Sequence, residues 1–375
     1  MIFKKYLSLI AIVVFVQCEN HENKTSKSFQ NEIVYAKGFQ IKTFTNFKIL
    51  TINRAFIGDV KTSEYYIFPK NNSIPDSLTH KKIIRTPINR IVCTSTSHIP
   101  MLEVLNEENK LVGFPNTHYI SSEKTCELIR KGKITDVGHE QAINPEVLLS
   151  LKPDLFVGFA VDQSSKMYEN IEKIGIPVLM NGDWMEESPL GRAEWIKFFG
   201  LLFEKENQAN KIFDSIEKNY LNLKLSAQGT SSNPTVMNGS LFQDVWYTAA
   251  GNSFLAQMIN DASANYLWKN SQGTGSLALS IENVLDIGKN ADFWIAPGDF
   301  ISMEQMIISN KIYKEFNPLK LGKTYTYAHL KGENGGLYYF EMSPLHPDWV
   351  LEDLIQIFHP NLFLKKEFHF FKKLE

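Results

Sequence analysis

"INPEVLLSLKPDLFVGF", residues 143 to 159, reads as a short helix that runs straight into a buried strand. Asn144 is suited to cap the helix and Pro145 to its first turn. Ile143, Val147, Leu148 and Leu151 fall on one apolar stripe, which leaves Glu146 outward. Asp154 closes the loop, and "LFVGF" has the length and composition of a buried strand. The unit returns in "LSIENVLDIGKNADFWIAPG", residues 279 to 298: Ser280 is the cap, Glu282 opens the helical turn, Asp292 closes the loop and an apolar strand follows. Each glutamate gains from the helix dipole, which alone explains a carboxylate there. Two such acids at matching places in two lobes also suit docking onto a two-fold partner that presents two basic pockets.

The same alternation extends outward on both sides. "NRIVCTS" is a strand leading into helix "SHIPMLEVLN", then strand "KLVGFPN", helix "SSEKTCELIRKG" and strand "TDVG". After the first unit come helix "SSKMYENIEKIG" and strand "IPVLMNGDW". A second series starts at "TVMNGS" and passes through helix "NSFLAQMINDA", the second unit, helix "MEQMIISNKIY", strand "TYTYAH" and helix "PDWVLEDLIQIF". Alternating β and α elements imply mostly parallel sheets with helices on their faces. Between the series, no proline follows Pro189 until beyond Leu225, and Ile212, Phe213, Ile216, Tyr220 and Leu223 form a helical stripe. Residues 33 to 84 favour strands instead, with "GFQIKTF", "FKILTIN" and "EYYIFPK". The expected fold is therefore α/β: two Rossmann-like lobes with parallel sheets, joined by one long α-helix and preceded by a β-rich N-terminal extension. The expected boundaries are 1–18 for a signal, 19–31 for a polar tether, 32–188 for the extension and first lobe, 189–226 for the linking helix and 227–375 for the second lobe.

The chain's 375 residues are enough for two separate cores. Its 39 Lys and Arg nearly balance 41 Asp and Glu, so no concentrated basic face argues for nucleic acid. The N-terminus "MIFKKYLSLIAIVVFVQCEN" has two lysines, an apolar run from Tyr6 to Val16 and then Cys18, the layout of a secretory signal. The run is too short to span a bilayer, which takes about 20 apolar residues. A cysteine directly after it resembles the bacterial lipoprotein signal, in which that residue is lipidated. Phe15 and Gln17 depart from the usual residues there, and a plain signal peptide is the alternative. Cys93 lies in an apolar strand and reads as a buried filler; with Cys126 the only other cysteine, no metal-type cluster exists.

The chain resembles the substrate-binding proteins of ABC importers for iron complexes and cobalamin, the type with two α/β lobes on a single linking helix. The resemblance runs from about Asn89 to the C-terminus. It is carried by "RIVCTSTSHIPMLEVLN", "VGHEQAINPEVLLSLKPDLFVGF", "IEKIGIPVLMNGDW", "PLGRAEWIKFFGLLFEKE", "AAGNSFLAQMINDASANYLW", "SLALSIENVLDIGKNADFWIA" and "HPDWVLEDLIQIFHP". It implies a monomeric periplasmic lipoprotein anchored to a membrane, with no catalysis and no cofactor of its own. Such a protein would carry a siderophore, haem-like or corrinoid complex to a dimeric permease with its ATPase subunits. One glutamate on each lobe docks onto the permease in such proteins, and here those positions fall on Glu146 and Glu282.

Ligands of such folds lie beyond the carboxyl ends of the strands, between the lobes. The candidates in the first lobe are Thr96, Ser97, His98, Asn116, His118, Tyr119, Phe159, Asp162, Asp183 and Trp184. In the second they are Trp246, Tyr247, Thr274, Ser276, Asp299, Tyr338, Tyr339 and Glu341. For any one of them, core packing or a solvated loop is as good an account as ligand contact. Aromatic faces with a few polar groups suit a bulky, partly apolar metal complex. No arginine stands among these loops, which leans away from strongly anionic ligands. A rival set is His98, His118 and His139, each after a different strand, which could bind bare zinc or manganese if they converged. No G-x-S-x-G or phosphate loop supports an enzyme.

Overall fold

The computed structural model describes residues 32–53, 62–139, 142–159, 165–362 and 367–375. The chain enters through a four-stranded sheet of β1 (Phe39–Thr43), β2 (Lys48–Ile52), β3 (Ser63–Pro69) and β4 (Ile83–Thr86). The first three strands are antiparallel and β4 joins parallel to β3. Two buried carboxylates pin the segment ahead of this sheet. Glu194 accepts the backbone N–H groups of Val34, Tyr35 and Ala36, and Glu186 accepts those of Lys37 and Gly38.

The first lobe follows: β5 (Ile91–Cys93), α1 (His98–Val104), β6 (Leu111–Phe114), α2 (Glu123–Arg130) and β7 (Thr135–Asp136). A small hairpin of β8 (Gly138–His139) and β9 (Ala142–Ile143) leads into α3 (Pro145–Leu151), then β10 (Leu155–Gly158), α4 (Ser165–Lys173) and β11 (Val178–Met180). The parallel sheet has the order β11-β10-β5-β6-β7, so the winding reverses between β5 and β10. Among the described residues both cysteines, Cys93 in β5 and Cys126 in α2, are buried and free.

The helical stretch between the lobes is three segments, α5 (Pro189–Glu194), α6 (Ile196–Leu202) and α7 (Glu206–Gln228), and only α7 is the long linking helix. A single helix over 189–226 fails at residues 203–205, where Glu204 takes a left-handed conformation (φ 56°) and ends α6. The chain then folds back, with Gly200 so close to Ala209 that an added Cβ would sit 2.5 Å from the Ala209 methyl. In one straight helix these two residues would stand about 13 Å apart.

The second lobe runs β12 (Thr235–Asn238), β13 (Ser240–Phe242), β14 (Val245–Ala249), α8 (Phe254–Asp261), β15 (Asn265–Tyr266), β16 (Ser276–Leu279), α9 (Ile281–Gly288) and β17 (Phe293–Ile295). It ends with α10 (Met303–Ser309), α11 (Asn317–Lys320), β18 (Thr324–Thr326), α12 (Tyr338–Met342), α13 (Pro347–Phe358) and β19 (Lys372–Lys373). Its main sheet has the order β15-β12-β17-β18-β19, parallel except for the C-terminal strand, and its winding reverses between β12 and β17. A separate antiparallel sheet, β13-β14-β16, stands beside that reversal. The fold class read from the sequence holds, with β-rich extension, two parallel-sheet lobes and a long helix between them.

Candidate ligand site between the lobes

A cavity of about 670 Å³ opens where β12 and β17 part. Asn238, Gly239 and Ser240 enter it from the end of β12, Ala296 and Gly298 from beyond β17, and Tyr327 from beyond β18. The opposite wall is Trp184 and Met185, just after β11, with Glu187 and Arg192 at the start of the helical link. Strand ends at a winding reversal leave a crevice because their connections depart to opposite sides. Six aromatic side chains face it: Trp184, Tyr247, Phe254, Tyr327, Tyr339 and Phe340. Tyr327 and Tyr339 stack at 4.5 Å with rings nearly parallel, and Phe340 meets Tyr327 edge-on at 5.2 Å.

One cation reaches this aromatic wall. The Arg192 guanidinium lies 4.7 Å over the Phe254 ring and 3.7 Å from a carboxylate oxygen of the fully buried Asp183. Neither Asp183 oxygen nor Arg192 Nε has a hydrogen-bond partner among the described residues, so the pair keeps unspent polar capacity beside the cavity. His98 is buried behind it. Burial pushes its imidazole down to about 4, with Asp183 pulling the other way.

Of the residues expected at the cleft, Trp184, Tyr247, Thr274, Ser276 and Tyr339 line the cavity. Trp246 does not: neighbours on a strand face opposite ways, and it is fully buried with its ring 5.4 Å from Trp294 and from Phe316. Phe159 stands one layer back, edge-on to Trp184 at 5.9 Å. Asp183 and His98 turn inward, and Ser97 is buried with its hydroxyl 2.9 Å from that of Ser95. The carbonyl of half-buried Thr96 accepts the N–H of Ile99 in the first turn of α1. Glu341 is also buried, facing the first lobe rather than the cavity. Tyr338 packs on Phe370 at 5.8 Å, and Asp299 is exposed on the loop after β17. Asn116, His118 and Tyr119 lie outside the lining, His118 against Tyr119 at 4.2 Å. Asp162 lies outside the described residues, as do Cys18, the signal and the tether.

The three histidines do not converge. His98 is buried, His118 is exposed, and exposed His139 places Nδ1 2.6 Å from Asn116 Oδ1. Among the described residues no group of three or more His, Cys, Asp or Glu is placed to hold a metal ion. Arg192 corrects the reading that the cleft has no arginine: it comes from a helix, where the search for residues after strands did not look. That same search would have found Asn238, Gly239, Ser240 and Tyr327 had it been applied to "TVMNGS" and "TYTYAH".

Glu146 and Glu282 are exposed, each in the first turn of its helix. The Asn144 side chain accepts the N–H groups of Glu146 and Val147, and the Ser280 hydroxyl accepts that of Asn283. The Glu282 backbone N–H and the Ser280 hydroxyl hold the Glu282 carboxyl below the usual range.

The model of the periplasmic binding protein family matches residues 91–329, and the chain belongs to that family. An uncharacterized lipoprotein of Methanocaldococcus jannaschii is 24% identical over 84% of this chain and 77% of its own length. Among solved structures, a possible iron-binding (periplasmic solute-binding) protein of Staphylococcus epidermidis is similar at TM-score 0.57 and 20% identity, covering 73% of this chain and 100% of that one. A periplasmic heme binding protein of Pseudomonas aeruginosa is similar at TM-score 0.56 and 17% identity, over 77% of this chain and 98% of its own. The two lobes, the linking helix and the cavity at the strand ends agree with that membership.

Proposed function

We propose that the protein captures an iron(III) complex, siderophore or haem-like, in the interlobe cavity and delivers it unchanged to a dimeric ABC permease. The observation that carries the ligand class is the wall of six aromatic side chains with a single guanidinium in a cavity of about 670 Å³. Such a wall offers flat apolar area to a bulky chelate, while Arg192 meets a carboxylate or other anionic group on its rim. The layout after Tyr6 and the likeness to a curated lipoprotein support lipidation at Cys18 and a place outside the cytoplasm, at a membrane surface. Among the described residues no helix is long and apolar enough to cross a membrane.

The test is titration of anchor-free protein with haemin, a panel of ferric siderophores and cyanocobalamin, read by Trp fluorescence, because Trp184 stands in the cavity wall. Saturable quenching by an iron complex is expected. Quenching by cyanocobalamin alone would move the assignment to a corrinoid carrier. No response to any of them, with a tight response to zinc or manganese, would overturn it.

A further inference from the structure

Helix α12 faces two ways. Tyr339 and Phe340 face the cavity, while the next residue, Glu341, reaches across to the first lobe. Its carboxylate accepts the Ser121 N–H at 2.7 Å and the Ser122 N–H at 2.8 Å, the two residues just ahead of α2. Glu341 is fully buried there, and α12 also packs on α1. The ionisable groups around it are Glu103 from α1, Cys126 from α2 and Tyr338 from its own helix. Glu103 is itself engaged, accepting the Ser122 hydroxyl and the Thr125 hydroxyl, the latter at 2.5 Å. Backbone meets backbone beside this contact: a Cβ on Gly336 would sit 1.9 Å from the Tyr119 carbonyl oxygen, so no other residue fits. Further out, Arg130 of the first lobe pairs with Glu333 of the second at 2.5 Å.

We propose that Glu341 is an interlobe latch and a positioning residue for the cavity: by holding the start of α2 it fixes α12, and so sets where Tyr339 and Phe340 stand and how readily the cleft opens. The proposal rests on the reading of the cavity as the ligand site. A carboxylate at two free N–H groups of a helix start is a favourable contact. Burial works against its charge. It pushes the Glu341 carboxyl up to about 7, the Ser121 and Ser122 donors pull it back down, and Glu103 adds to the rise. With the lobes apart, the carboxyl returns to water and toward its ordinary 4.5. The closed form therefore keeps its proton up to about 7 and the open form only to about 4.5, so acidification through that window favours closure and rising pH loosens the latch.

Hydrogen exchange at the Ser121 and Ser122 amides of the full chain without ligand tests this, from roughly pH 5 to 8.5 and corrected for the intrinsic chemical rate. In the wild type, protection should fall by about tenfold or more as pH rises from about 5 to 7 and level off above that. Glu341→Gln cannot titrate, and its amide nitrogen cannot accept one of the two N–H groups, so it should give a flat profile with protection below the acid-pH level of the wild type. Glu341→Ala should lose protection at every pH; should it fail to fold, the Gln variant carries the comparison. A second arm uses haemin as the probe: its dissociation should be faster at alkaline than at acid pH in the wild type and the same at both in Glu341→Gln. If haemin does not bind, that counts against the iron-complex reading, and the exchange arm still judges the latch. A flat wild-type profile, or the same pH dependence in Glu341→Gln, overturns the proposal.

Discussion

Trp246 and Tyr247 are adjacent on β14 and face opposite ways: Trp246 is fully buried 5.4 Å from Trp294, whereas Tyr247 is 44% exposed at the cavity wall. The Trp246 indole N–H also donates to the Asn238 carbonyl, which ties β14 to the end of β12. One residue therefore supports the site and the other forms it.

Substituting the pair separates the two roles. Trp246→Ala removes a large core side chain and should cost about 3–5 kcal/mol in urea unfolding. Tyr247→Ala leaves an exposed position smaller and should change stability by less than about 1 kcal/mol while weakening ligand affinity about tenfold or more. The reverse pattern, with Tyr247→Ala lowering the unfolding midpoint and sparing affinity, would remove Tyr247 from the site.

Arg192 supplies the charge that Asp183 faces, and both are largely withdrawn from water. Arg192→Met should destabilise the protein by about 3–5 kcal/mol at neutral pH, because it leaves a buried carboxylate without its counter-charge. Adding Asp183→Asn should recover most of that loss, since the charge is then gone from both sides. The double-mutant cycle by urea unfolding is the measurement, and independent, additive effects would show that the two side chains are not coupled.

How much of this was legible beforehand differs between fold and site. Strand-to-helix periodicity and the caps at Asn144 and Ser280 mark the lobes, because each element carries its own local signal. The fold-back at residues 203–205 carries no such signal: an apolar stripe looks alike in one helix or in two that pack on each other, and Glu204 is no sequence mark of a left-handed turn. The cavity depends on which strand ends meet across lobes, so position after strands picks out Trp184 and Tyr339 but not Arg192, which lies on a helix beside Phe254 from far along the chain. The sequence places Glu341 at the cleft; only tertiary structure shows that its backbone partners lie in the other lobe.

His98 should leave a mark on the pH dependence of stability. Its folded imidazole titrates near 4 against an ordinary 6.5, so the unfolded chain binds more protons between those values. The contribution is fully present above about 6.5 and is lost as pH falls toward about 4, roughly 3 kcal/mol in all. Glu341 acts with the opposite sign between about 4.5 and 7, so the two partly cancel in the wild type. Unfolding of His98→Phe across this range should therefore show a weaker acid loss than the wild type. An unchanged profile would place the acid-sensitive group elsewhere.

The two exposed glutamates give the remaining prediction. Glu146 and Glu282 stand in the first turns of α3 and α9, one on each lobe, with caps already supplied by Asn144 and Ser280. Both side chains are exposed, and on the proposed docking a dimeric permease with one basic pocket per subunit would meet one glutamate from each lobe. Neither residue lines the cavity, so charge removal should spare ligand affinity and the fold. Glu146→Ala and Glu282→Ala should each reduce uptake in cells that lack the native gene, and the double variant should reduce it further, because each loses one charge-assisted contact. Raising ionic strength in a reconstituted transporter should narrow the gap between wild type and variants, since exposed ion pairs are screened. Normal uptake by the double variant would mean that the glutamates only complement their helix dipoles, and lost ligand affinity in a folded variant would put them at the cleft instead.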